Sequence, residues 1–263
     1  MSLLIQIRRS QIRRIWFDLL TAVQFLTRLR VPSAPYEQDS LARAVKFFPI
    51  VGLLIGSGSA LLYLALAPHI SSTIVALLIV VYLVAITGGL HEDGLADSAD
   101  GFGGGWEREK VLAIMRDSRI GTYGAAALAL SLLARVLLIA SLPRTQAVAW
   151  LIAAPILSRW TILPLSYFLP PAREHADKQI DGQGARIARL MTRGSLIVGS
   201  LFTVAIVLAL LRFRAIAPIL VSIAVTLATA LYYRHRIGGV TGDCFGATTQ
   251  AAEIAVYLCG VWA

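Results

Sequence analysis

Charged residues are scarce in this sequence: they make up 15% of 263 residues, against 57% hydrophobic, and mean hydropathy is +0.72. A soluble domain carries about 25% charged and 45–50% apolar residues. The deficit excludes an ordinary cytosolic globule and a disordered chain. Cysteine is almost lacking: only Cys244 and Cys259 occur, without paired spacing. That argues against a disulfide scaffold and a metal–thiolate site. Lysine is as rare, three of the 24 basic residues, the rest being arginine. No internal repeat and no low-complexity linker interrupts the chain, so residues 1–263 read as one domain. The basic N-terminus precedes a run broken by Asp18, Gln24 and Arg28, which does not suit a signal peptide.

Long apolar runs are what the chain has. A bilayer core about 30 Å thick needs roughly 20 apolar helical residues. Seven stretches qualify, near 47–67, 70–90, 122–142, 146–169, 195–213, 215–233 and 247–262; the last is short and contains Glu253. The expected fold is therefore all-α, a polytopic membrane bundle of six to seven transmembrane helices. Pro155 and Pro164 are expected to kink or break the fourth stretch.

Net charge is +9 and the pI about 10.1. In a soluble protein this would suggest nucleic acid; in a hydrophobic one it reads as cytoplasmic loops, so the expected partner is the lipid bilayer and not nucleic acid. Nineteen of the 24 basic residues fall in alternate loops, which places the N-terminus and the 91–121, 170–194 and 234–246 loops in the cytoplasm of an inner membrane. Seven spans would put the C-terminus outside. Residues 12–30 are amphipathic, with Ile15, Leu19, Ala22 and Leu26 at helical spacing. They read either as an interfacial helix on anionic lipid or as a helix packed in the bundle. No oligomeric state follows from the sequence.

The acids are few but clustered. Glu92, Asp93, Asp97 and Asp100 fall within nine residues of the expected cytoplasmic segment. Spacings of four and three put Asp93, Asp97 and Asp100 on one helix face, where they repel unless a cation neutralises them. Oxygen ligands imply Mg²⁺ or Mn²⁺, and Mg²⁺ commonly takes one or two carboxylates plus substrate phosphates. Glu92 is a further candidate ligand and His91 a candidate base; the bland reading of the cluster is a solvated acidic loop. Gly103, Gly104 and Gly105 precede an expected helix over 106–117, a place where phosphates bind. Arg116 and Arg119, three apart, suit phosphate oxygens; lipid headgroups are the bland alternative.

A second Gly-rich stretch over 237–253 surrounds Asp243 and ends at Glu253, inside the last apolar run. Ionisable residues within spans mark function by default; Arg135 and Arg159 read as partners of Glu253 or as snorkelling side chains. The string "DGQGAR" over 181–186 opens like the signature of CDP-alcohol phosphotransferases, but Gly194 falls one position early and no acid follows before Asp243. It reads as coincidence, although Asp181, Arg186 and Arg189 remain candidate contacts for an anionic substrate.

Three blocks together resemble the cobalamin synthase family, the adenosylcobinamide-GDP ribazoletransferases: "GGLHEDGLADSADGFGGG" (88–105) followed by "IMRDSRIGTYG" (114–124), "GGVTGDCFGATTQAAE" (238–253), and "FFPIVGLLIGSGSA" (47–60) with "FLTRLRVP" (25–32). The resemblance implies a Mg²⁺-dependent reaction in which adenosylcobinamide-GDP and α-ribazole, or its 5′-phosphate, give adenosylcobalamin, or its phosphate, and GMP. On that implication Asp93, Asp97 and Asp100 hold Mg²⁺ with Glu92, Arg116 and Arg119 neutralise phosphate, and Asp243 is a second-site ligand or the base. Two rivals are weighed beside it. An intramembrane prenyltransferase would carry two similar Asp motifs on helices, whereas the second block offers only Asp243. A divalent-cation transporter would carry its acids within spans, where only Glu253 clearly lies.

Overall fold

The structure is a computed structural model that describes residues 2–32, 39–173 and 182–262. The described residues form helices joined by short connections: α1 (Ser2–Leu26), α2 (Ser40–Ala44), α3 (Phe48–Leu66), α4 (Ser72–Thr87), α5 (Leu90–Gly104), α6 (Arg108–Ile114), α7 (Thr122–Ala140), α8 (Ala147–Trp160), α9 (Ile162–Phe168), α10 (Gln183–Leu190), α11 (Arg193–Leu211), α12 (Ile216–Ile237) and α13 (Gly242–Trp262). Four runs are long and apolar enough to cross a membrane: Ser40–Leu66, Thr122–Ala140, Ala147–Phe168 and Arg193–Ile237. The pair α4 and α5, bent by 89°, makes a fifth if counted as one span.

Each break has a local cause. Pro164 denies its own N–H to the ladder and clashes with the carbonyl of Trp160, so the fourth apolar stretch parts at Thr161 into α8 and α9. Left-handed Gly88 (φ 65°) and Gly89 (φ 72°) turn the chain between α4 and α5. α4 is the apolar arm of the pair. α5 leaves it at that turn, carrying Glu92, Asp93, Asp97 and Asp100, and is not among the four runs that qualify on their own.

The 45-residue run Arg193–Ile237 would reach about 68 Å if straight. Arg212 (φ 53°) breaks it into α11 and α12. Gly199 of α11 lies against Leu163 and Lys46, and Tyr233 of α12 bonds the carbonyl of Cys244 at 3.3 Å. Ile162, next to Leu163, and Asp243 and Phe245, either side of Cys244, line one cavity, so the two arms return to the same end of the molecule.

Small residues set the closest crossings. Gly52 and Gly56, one turn apart on α3, lie against the α8 backbone at Pro155 and Ile152; a Cβ on Gly56 would sit 2.7 Å from the Ile152 Cα. Such small-residue contacts let helices approach when no water is present to drive them together. The inner half of α1 packs into the bundle through Ala22 and Leu26, while Ile15 and Trp16 are exposed. The packed reading of 12–30 thus describes its inner half.

Candidate active site

Two glycines bring the acidic residues together. Gly94 of α5 faces Gly246 of α13; a Cβ on Gly94 would lie 2.9 Å from the Asp243 carbonyl oxygen and 3.2 Å from the Gly246 Cα. The helices therefore cross backbone to backbone, with Asp93 and Asp97 on one side and Asp243 on the other. Asp243 stands in the first turn of α13, where the helix dipole favours negative charge. Thr241 caps that turn, accepting from the Cys244 N–H at 3.3 Å and donating to Asp243 at 3.2 Å.

The carboxylates act on one another. Burial, then the charges of Asp93, Asp243 and Asp100, push Asp97 up to about 6, against a smaller pull from Arg173. Burial also raises Asp243, which Arg173 opposes. Arg173 arrives through a two-strand bridge at residues 170–172 and 240: the Ala172 N–H donates to Val240 and the Val240 N–H to Pro170, both at 2.9 Å. Its guanidinium lies 4.0 Å from Asp243 and donates to the Leu112 carbonyl at 3.1 Å.

Two cavities open on this crossing. One, of about 570 Å³, has walls of Phe25, Phe48, Ile187 and Phe245, with Asp243, Arg116 and Arg173 among its polar groups. The other, of about 560 Å³, is walled by Gln24, Arg28, Asp97, Ser118 and the backbone of Gly88 and Gly89. Phe25, Leu90 and Asp93 line both.

Several expected site residues stand elsewhere. The Asp/Gly-rich segment is not a loop but helix through Gly104, because its small residues let α5 pack against α7 and α13. Gly103 and Gly104 lie in the last helical turn, where backbone N–H groups are committed to the ladder. A Cβ on Gly103 would meet the Tyr123 ring at 2.6 Å, and one on Gly105 the Val111 nitrogen at 2.8 Å. These glycines serve close packing, and none lines either cavity. Asp100 is buried and caps α7, accepting from the N–H groups of Gly121 (2.7 Å) and Gly124 (2.8 Å). Glu92 is buried, its Oε1 accepting from Arg135 (2.8 Å) and Gln250 (3.1 Å), while it also lines the second cavity and its Oε2 has no hydrogen-bond partner. Arg119 is exposed and folds back on Asp117, whose carboxyl it holds well below the usual range. Arg116 does line the first cavity. His91 lines it too, but is buried with both ring nitrogens lacking a hydrogen-bond partner. Asp181 lies outside the described residues.

The alternatives for the buried arginines resolve into pairing. Glu253 accepts from Arg159 at 2.5 Å and lies 3.6 Å from Arg135, which also holds Glu92. Sequence reasoning missed Arg173 and Arg28 as site residues, since both were absorbed into the count of orienting charge. Only the register of residues 170–172 against Val240 distinguishes Arg173.

Among the described residues no group of three His, Cys, Asp or Glu converges closely enough to hold a metal ion alone. The donor set nonetheless suits Mg²⁺, which takes one or two carboxylates and completes its shell with water and phosphate oxygens. Asp93 and Asp97 offer those carboxylates beside Arg116 and Arg173.

A family model described as cobalamin-5-phosphate synthase matches residues 18–261. Similar curated proteins include the adenosylcobinamide-GDP ribazoletransferases of Sinorhizobium medicae (42% identical, covering 94% of this chain and 97% of that protein) and Azorhizobium caulinodans (41%, 94% and 96%). That of Shewanella piezotolerans is 38% identical over 91% of this chain and 92% of its own. No solved structure matches.

Proposed function

This chain belongs to the cobalamin-5-phosphate synthase family, and on that footing we propose that it transfers the phosphocobinamide group of adenosylcobinamide-GDP to α-ribazole or its 5′-phosphate, releasing GMP. The chain is a transferase of cobalamin nucleotide-loop assembly. The observation that carries the chemical reading is the crossing of α5 and α13 at Gly94 and Gly246, which sets Asp93, Asp97 and Asp243 beside two arginine-bearing cavities.

Phosphoryl transfer is catalysed by positioning and charge neutralisation. Asp93 and Asp97 would hold Mg²⁺, which supplies charge neutralisation on the diphosphate when bound. Arg116 and Arg173 face the first cavity and attract phosphate oxygens. Asp243, held at a raised pKa by burial, accepts the proton of the attacking ribose hydroxyl. Glu92 and Asp100 position α5 and α7 instead of binding metal.

The family sits in the bacterial inner membrane in this reading, with α11, α12 and α13 each crossing, six to seven spans in all. The α5–α13 crossing then faces the cytoplasm, where GDP-activated substrates are found. The proposal is tested with purified protein in nanodiscs, supplied with GDP-activated corrinoid, α-ribazole and Mg²⁺. GMP release is expected only when all three are present; release without α-ribazole, or none at all, overturns it.

A further inference from the structure

The two cavities are similar in size and share Phe25, Leu90 and Asp93, but the rest of their walls differ. The first is faced by aromatic rings from three elements, Phe25 of α1, Phe48 of α3 and Phe245 of α13, with Ile187 of α10 behind them. Such walls suit a flat bicyclic base with little hydrogen-bonding edge. The second adds side-chain amide and hydroxyl groups, Gln24, Thr27 and Ser118, the cation Arg28 and the backbone of Gly88 and Gly89, beside the carboxylates of Glu92 and Asp97. Such walls suit a base read by its donors and acceptors and a ribose phosphate. The cavities meet at Phe25, Leu90 and Asp93, of which Asp93 is the ionisable one.

In-line displacement at phosphorus requires the entering and leaving oxygens on opposite sides of the phosphoryl group. A single pocket cannot satisfy that for two nucleosides; two pockets on either side of one carboxylate can. Resting on the function proposed above, we infer that the two cavities are separate nucleoside sites on opposite flanks of the reacting phosphate: the aromatic one holds the acceptor α-ribazole, and the polar one holds the guanosine monophosphate that leaves. The ribose hydroxyl oxygen of the acceptor forms the new P–O bond, and its proton passes to Asp243 on the acceptor side. The P–O bond to GMP breaks on the other side, and the electron pair leaves with GMP. The segment after α6 serves both flanks, with Arg116 in the acceptor cavity and Ser118 in the donor cavity. The corrinoid, too large for either, projects from the shared wall.

The test uses bulky substitutions at exposed cavity-lining positions, Gln183→Trp for the acceptor side and Ser118→Trp for the donor side. In full-length protein in nanodiscs, Gln183→Trp is expected to raise KM for α-ribazole about tenfold, a change of about 1.4 kcal/mol, and leave KM for the GDP-activated corrinoid unchanged. Ser118→Trp is expected to do the reverse. Equilibrium dialysis of the unaltered protein should show α-ribazole and GMP bound together. An exchanged pattern, both constants rising together in either variant, or mutually exclusive binding would overturn the two-site assignment while leaving the transfer activity standing. An unaltered protein that releases no GMP overturns the proposed function and this assignment with it.

Discussion

The environment of Asp97 conflicts with its charge. Its folded pKa of about 6 lies above the ordinary 3.8, because burial and the neighbouring carboxylates disfavour the anion. The folded chain therefore binds that proton more tightly than the unfolded chain. Stability contributed at low pH is lost as pH rises through about 6. Asp97→Asn is expected to melt at a higher temperature than the unaltered protein above that pH and at the same temperature near pH 4, measured by thermal unfolding in detergent. Its transfer rate should fall by roughly 10²–10³. A variant that is more stable and nearly inactive is the signature of strain held at a site for function. Arg173 acts on Asp243 in the opposite sense, holding its raised carboxyl down. Arg173→Ala should shift the acid limb of the kcat/KM profile to higher pH, and Arg173→Lys should restore most of the shift. An unmoved limb would remove Asp243 from the role of base.

At the scale of elements, the site depends on one helix crossing and one helix cap. Gly94→Ala would place a Cβ 2.9 Å from the Asp243 backbone, which cannot yield as a side-chain tip can. It should separate α5 from α13 and lower kcat at least about tenfold, since small misplacements of reacting groups are costly. Asp100 sits three residues from Asp97 and seven from Asp93 on the same helix yet contacts a different element, the start of α7. Asp100→Asn is expected to lower stability by about 1 kcal/mol, as the loss of a helix cap does, with the Mg²⁺ concentration for half-maximal activity unchanged. A large rise in that concentration would return Asp100 to the metal site.

At the scale of the whole molecule, a buried ionic chain joins four helices: Glu92 of α5, Arg135 of α7, Arg159 of α8 and Glu253 of α13. The two positive and two negative charges balance, which is how ionised groups are tolerated away from water. Removing one member leaves another unpaired. Arg135→Met should cost about 3–5 kcal/mol, and adding Glu92→Gln should recover part of it; equal melting of the single and double variants would refute the pairing. The hairpin at Arg212 offers a test of topology. In a Cys259→Ser background, Phe213→Cys is expected to react with a membrane-impermeant maleimide from the outer face of intact cells, since Phe213 is exposed at the far end from the α5–α13 crossing.

Composition and apolar runs by themselves determined an all-helical membrane protein, because span length and hydropathy are local properties. The motifs around 88–124 and 238–253 carried the family resemblance, which the family model and the curated relatives bear out, since clustered acids and glycines in so apolar a chain are costly without a use. The tertiary structure alone decided what each of those acids contacts. A sequence spacing of three or four residues says that Asp93, Asp97 and Asp100 share a helix face, but not what lies opposite each. Across the helix from Asp100 lie the unpaired N–H groups of α7, and across from Asp93 lies Asp243, 150 residues away in the chain. The same holds for the glycines, which read as phosphate-binding loop and prove to be helix packing. The scarce charges with which the sequence began were thus partitioned, by contacts between distant segments, into site, cap and buried pair.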